Sequence, residues 1–198
     1  MNTLVKQGRL WWSGAVLSAL MAAGAPAQAA LQPALKAVES VDLSRYQGRW
    51  YQIAYYPNTF QKQCVSHTTA DYALLSNGQV EVTNACKTAE GSTSSVVGLA
   101  RLKQLRFLGV PVSKPVTSKL EVRFAPDWLS WVPGVWANYW VIQLASDYRY
   151  AVVGEPNRQF LWILSRTPTL SAQDDAAIRA TLVQQGYDPL KLRAEPQN

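Results

Sequence analysis

The chain has 198 residues, 48% hydrophobic and 16% charged, with eight Trp, nine Tyr, one His and two Cys. Its net charge of +6 comes from scattered Lys and Arg rather than a basic stripe, which argues against nucleic-acid binding. A single His and two well-separated Cys are too few soft ligands for a metal site, and no cofactor-binding loop is present.

Residues 1–29 read as a secretory signal: Lys6 and Arg9 precede an apolar run over 10–25, and Ala27-Gln28-Ala29 supplies a small-x-small cleavage site. The run falls short of the ~20 residues needed to cross a bilayer. No cysteine lies near the cut, so a lipid anchor of the lipobox type has no attachment point. Removal of this leader leaves about 170 residues, the size of one domain, expected to be soluble in the periplasm or secreted. Residues 30–42 then form an extended arm, and 43–198 the folded domain.

Eight strands are expected, over 50–56, 65–75, 79–85, 95–102, 118–124, 136–144, 148–153 and 159–165. Each alternates or is rich in aromatic and β-branched residues. Ser76-Asn77-Gly78 is a three-residue hairpin signal that sets Tyr72 opposite Val82 and Ala70 opposite Asn84. Residues 103–117, with Gly109, Pro111 and Pro115, read as a long hairpin loop. Ser171 suits a helix N-cap with Asp174 and Asp175 in the first turn, and Gly186 a stop, which places a helix near 171–185. The fold class is therefore all-β with one C-terminal helix. Eight strands in up-and-down order can close into an antiparallel β-barrel wide enough for one small ligand, although a sandwich is also compatible with this pattern.

Three motifs in order decide between them. Gly48-Arg49-Trp50 opens the first strand, Ser146-Asp147-Tyr148 lies between the sixth and seventh, and Arg166 follows the eighth. On these residues the chain resembles the lipocalin family, and over 148–168 its apolipoprotein D-like bacterial members. The likeness spans roughly 42–190. It implies an eight-stranded up-and-down barrel in which Trp50 and Arg166 close one end as scaffold, the guanidinium over the indole face. The function it implies is non-covalent binding, storage or transport of a small lipophilic ligand such as a fatty acid or lysophospholipid, with no catalytic residue.

Strand parity and that resemblance together nominate ligand-binding residues. If Trp50 faces inward, Gln52, Ala54 and Tyr56 follow it. Tyr72 and Asn84 share a face, and Asn138, Trp140 and Ile142 share another parity. Tyr56, Tyr72, Asn84, Asn138, Trp140 and Ile142 are the expected lining. Trp128 and Trp131, between the fifth and sixth strands, belong at the open end as a mouth rim that either caps the barrel or rests on a membrane surface as a peripheral contact.

The hairpin register places Cys64 opposite Glu90 and Cys86 opposite Thr68, ~13 Å apart along the strand. That is too far for a disulfide unless a bulge intervenes or Cys64 folds back before the strand. A Cys64–Cys86 bridge is nevertheless expected, because the two thiols share a parity and an oxidising compartment. The one His, His67, lies on a strand with no nucleophile signature around it. An enzyme acting on a lipophilic substrate, and an envelope-stress module using the Trp-rich rim, are the alternatives to a carrier.

Overall fold

The computed structural model describes residues 33–103, 106–107, 110–111 and 115–198. The leader read over 1–29 lies outside these residues. The arm is extended as far as Asp42, whose carboxylate then caps a four-residue helix, α1 (Leu43–Tyr46), by accepting from the amides of Ser44 and Arg45.

Among the described residues, eight strands form a closed antiparallel sheet. They are β1 (Gly48–Tyr55), β2 (Cys64–Leu74), β3 (Val80–Thr88), β4 (Thr93–Leu102), β7 (Lys119–Arg123), β8 (Ala137–Leu144), β9 (Tyr150–Gly154) and β10 (Leu161–Ser165). Between β4 and β7 a small separate hairpin, β5 (Arg106–Phe107) with β6 (Val110–Pro111), occupies the long loop. Each barrel strand pairs with its sequence neighbour, and β10 returns to β1 with Tyr51 opposite Ser165, so the barrel has no free edge. The hairpin signal behaves as read: Gly78 has φ +80°, Tyr72 faces Val82 and Ala70 faces Asn84.

Two cores result. Inside the barrel, Trp50, Ala70, Tyr72, Val82, Val141 and Val153 belong to one buried cluster that also takes Val41 and Tyr46 from the arm and α1. Outside it, α2 (Ala172–Gln184) lays Ile178 and Leu182, four residues apart and fully buried, against Ile142, Val152 and Ile163. Ser171 caps this helix by accepting from the Asp174 amide, and Gly186 ends it at φ +78°. Burying one such aliphatic side chain contributes about 1.5–3 kcal/mol.

Register slips in β1, in β2 and, between Val141 and Gln143, in β8 decide which side chains face the interior. In β1, the register with β10 slips between Gln52 and Ala54, so two residues on β1 span one step of its partner. In β2, the register with β3 slips twice, between Cys64 and Ser66 and between Ser66 and Thr69. His67, with φ +54°, sits within the second slip. The sliding brings Cys64 next to Cys86, and the two form the disulfide at a Cα separation of 5.5 Å. A straight ladder would have kept them apart; the bulged one joins them.

A last short strand, β11 (Arg193–Ala194), pairs with β1 at Ala54 and Tyr55, where β1 has parted from β2. The bulge leaves the amides of His67 and Thr68 without ladder partners. The same terminal segment satisfies them: His67 N donates to Pro196 O (2.7 Å) and Thr68 N to Glu195 Oε1 (3.3 Å).

Candidate ligand-binding site

The closed end is built from the three sequence motifs. Trp50 is fully buried and donates its indole N–H to the carbonyl of Tyr46 at 2.8 Å. Arg166 lies with its guanidinium 3.9 Å from the Trp50 ring centre and donates to the carbonyls of Arg49 (2.9 Å) and Arg45 (2.7 Å). Gly48 adopts φ +86° at the sharp entry to β1, a conformation that side-chain-bearing residues rarely adopt. The second motif fastens α1: the Tyr148 hydroxyl accepts from the Asp42 amide (2.9 Å), and Arg45 stacks 4.0 Å over the Tyr148 ring. Asp147 holds Arg149, which reaches on to Asp174 at the start of α2 (2.6 Å). The arm crosses this same end, where Val38 bonds to Val141 and Ser118.

Above Trp50 stands a trio of tyrosines. The Tyr139 hydroxyl bonds both Tyr72 (2.8 Å) and Tyr46 (3.0 Å). Burial pushes the Tyr72 phenol up to about 12 and holds Tyr46 and Tyr139 well above the usual tyrosine range. All three stay neutral and act as hydrogen-bonding groups in an otherwise apolar floor.

Toward the other end the inward faces open. Asn84 and Val96 oppose each other across β3 and β4, and Val122 opposes Ala137 across β7 and β8. Floor residues such as Val82 and Ala100 are 3% exposed, whereas Val96 is 45% exposed and Phe124 40%. The Phe124 ring occupies the space a side chain on Gly98 would need. Opposite this wall, Gln52, Gln61 and Trp162 form a polar chain, with Trp162 Nε1 donating to Gln61 (3.1 Å) and Gln61 to Gln52 (3.0 Å).

Four of the six expected lining residues lie elsewhere. The β1 bulge reverses parity after Gln52, so Tyr56 turns outward, stacks on Tyr187 and bonds the backbone of Asp188; Tyr55, opposite Trp162, takes the inward place. Ala54 turns outward with it. On β8 the inward residues are Tyr139 and Val141. Asn138, Trp140 and Ile142 occupy the opposite face. Asn138 accepts from Lys103 (3.0 Å), Trp140 lies under the Lys119 ammonium (4.4 Å) and Ile142 packs in the cluster beneath α2. An aromatic at two successive positions, Tyr139 and Trp140, gives parity nothing to discriminate by. Tyr72 and Asn84 stand on the inward face.

Trp128 and Trp131 are 71% and 79% exposed on the loop joining β7 to β8, at the end away from Trp50. Phe60, on the β1–β2 loop, is at the same end and 64% exposed. Trp136 is packed instead: Arg101 and Arg123 stack on it at 3.8 and 5.0 Å. His67 is exposed and bonds Ser66 Oγ (2.8 Å). Among the described residues no three His, Cys, Asp or Glu side chains converge to hold a metal ion.

A barrel closed at one end by a stacked Trp–Arg pair now has a family to match. The Lipocalin-like domain model matches residues 41–197. The chain belongs to the lipocalin family. Temperature-induced lipocalin-1 of Arabidopsis thaliana is 34% identical over 83% of each chain. Apolipoprotein D of Mus musculus is 33% identical, over 80% of this chain and 78% of that one. Outer membrane lipoprotein Blc of Escherichia coli (strain K12) is 32% identical over 78% of each. Among solved structures, insecticyanin from the tobacco hornworm Manduca sexta superposes with a TM-score of 0.60 at 20% identity, covering 83% of this lipocalin and 85% of its own chain, a likeness of fold. Lipocalins are in general binding or transport proteins for small hydrophobic ligands.

Proposed function

We propose that this lipocalin is a non-enzymatic carrier of a single-chain amphiphile in the cell envelope or outside the cell, reached through export by the leader at 1–29. The observation that carries this reading is the exposure gradient along the inward face, from the fully buried Trp50 to the exposed Val96 and Phe124. Such a gradient supports a cup open at one end. An acyl chain lying along Val82, Val96, Val122 and Phe124 would gain about 0.8 kcal/mol per buried methylene, enough for useful affinity from a chain of ten or more carbons. Tyr72 and Asn84 offer polar contacts on the same face. The disulfide suits an oxidising compartment.

The mouth suggests how the ligand is exchanged. Trp128, Trp131 and Phe60 project at the open end, the disposition of side chains that settle at a membrane interface. In this reading the rim rests peripherally on a bilayer and the ligand passes without crossing water.

Native mass spectrometry of the purified protein, followed by solvent extraction, tests the carrier. One amphiphile per chain, or quenching of Trp emission by added lysophospholipid or fatty acid, supports it. A protein that arrives empty and responds to neither ligand is not such a carrier. Flotation with phospholipid vesicles tests the rim: the Trp128→Ala, Trp131→Ala double variant should lose vesicle binding and keep ligand affinity.

A further inference from the structure

The terminal segment carries a carboxylate into the wall of the cup. Glu195 is 8% exposed, and its backbone amide bonds Ile53 as β11 continues along β1. Its Oε1 accepts from the Thr68 hydroxyl at 2.5 Å and, more weakly, from the Thr68 amide. Among the described residues its Oε2 has only the Gln52 amide, at 3.4 Å. Gln52 shares the inward face of Trp50 and is itself 4% exposed, so the carboxylate looks onto the same interior. Among the described residues Glu195 takes part in no ion pair. Trp162 is linked to the carboxylate through the polar chain of Gln61 and Gln52, and Tyr55 is its register partner across β1 and β10.

A buried carboxylate met only by neutral donors is a costly group to maintain, because hydrogen bonds replace part of its hydration and no cation replaces the rest. An oxygen with one long contact has lone pairs to spare. Aromatic faces close by favour a cation, and most of all a poorly hydrated ammonium. An anionic head group would meet like charge at short range in a medium that screens poorly.

We propose that Glu195 is the counter-ion for a positively charged head group, so that this lipocalin prefers amphiphiles bearing an ammonium or quaternary ammonium over fatty acids of the same chain length. The proposal rests on the carrier reading and specifies its ligand class. The head group sits between Glu195, Tyr55 and Trp162, and the chain lies against the opposite wall of β3, β4 and β7. Glu195 thereby sets specificity by charge, while the apolar wall supplies affinity without choosing between head groups.

Calorimetric titration near neutral pH with tetradecyltrimethylammonium and with myristate, both below their micellar concentrations, tests the idea on the wild type and on Glu195→Gln. The wild type should bind the ammonium at least about ten-fold more tightly than the carboxylate. Glu195→Gln should bring the two within about two-fold by weakening the first and strengthening the second. Glu195→Asp keeps the charge and should keep the preference, which guards against a glutamine variant that fails to fold. Equal affinities in the wild type, or a preference unchanged in Glu195→Gln, overturn the assignment while leaving the carrier intact. If neither amphiphile binds the wild type, the carrier reading itself falls.

Discussion

Arg166 lies 3.9 Å over the indole of Trp50 while its two terminal nitrogens bond the carbonyls of Arg49 and Arg45. One side chain thus ties the start of β1, the end of α1 and the exit of β10 into a single lid at the closed end. The stack contributes about 1–2 kcal/mol when partly desolvated, and each charge-assisted bond about 1.5–3 kcal/mol before any relaxation. Arg166→Ala should therefore destabilise the protein by about 2–4 kcal/mol, read as a lower midpoint in urea with an unchanged slope. Arg166→Lys should recover only part of this loss, since an ammonium cannot stack and fork together. A midpoint in Arg166→Ala equal to the wild type would show that the pair is not what holds the floor.

The position of the interior can be tested on the two faces of the wall. Val96 points into the mouth and is half exposed, so Val96→Trp should fold and obstruct the cup, lowering amphiphile affinity about ten-fold. Trp140 faces outward under Lys119, so Trp140→Ala should change affinity by less than about two-fold. The reverse pattern would mean that β8 presents its other face to the ligand.

That contrast also marks where sequence reading stops. Barrel closure, the helix with its Ser171 cap, the Ser76–Gly78 hairpin and the Trp50–Arg166 floor all follow from local rules: period-two alternation, turn chemistry and three ordered motifs. Parity counted from Trp50 holds to Gln52 and fails at Tyr56, because a bulge inserts one residue and leaves no compositional trace at Ile53. The disulfide shows the same limit from the other side, since Cys64 and Cys86 meet only through the slips around Ser66 and His67. Glu195 is hidden in the sequence for another reason. It is 143 residues from Gln52 along the chain, and no short-range pattern signals that a terminal tail will fill a gap in a wall.

The tyrosine trio gives the fold an alkaline limit. Burial keeps the Tyr72 proton bound in the folded state to about pH 12, whereas in the unfolded chain it leaves near 10. Unfolding above pH 10 therefore releases protons, and stability that is complete below about pH 10 declines as the pH rises toward 12. Tyr46 and Tyr139 shift in the same direction and add to the decline. Absorbance at the phenolate band should show the exposed tyrosines ionising first and these three only with global unfolding. A Tyr72→Phe variant should shift the alkaline midpoint of unfolding upward.

The disulfide closes a loop of 22 residues around the β2–β3 hairpin. Loop-closure entropy of that size corresponds to about 3 kcal/mol. The Cys64→Ser, Cys86→Ser protein should unfold at a lower urea concentration by that margin. It should also exchange the amides of residues 64–69 faster than those near Trp50, because the bulge loses its clasp.

The terminal segment completes this barrel from far along the chain. Gln197 donates to the backbone of both Gln52 and Thr68, bridging the two strands where they diverge, across 145 residues of sequence in the first case. The seam between β1 and β2 is thus finished by residues that leave the ribosome, and any export channel, after everything they join. Until they arrive, two adjacent strands carry unmet amides along an open slit. The wall is complete only once this segment has docked, so shortening it should leave the β1–β2 seam open to exchange.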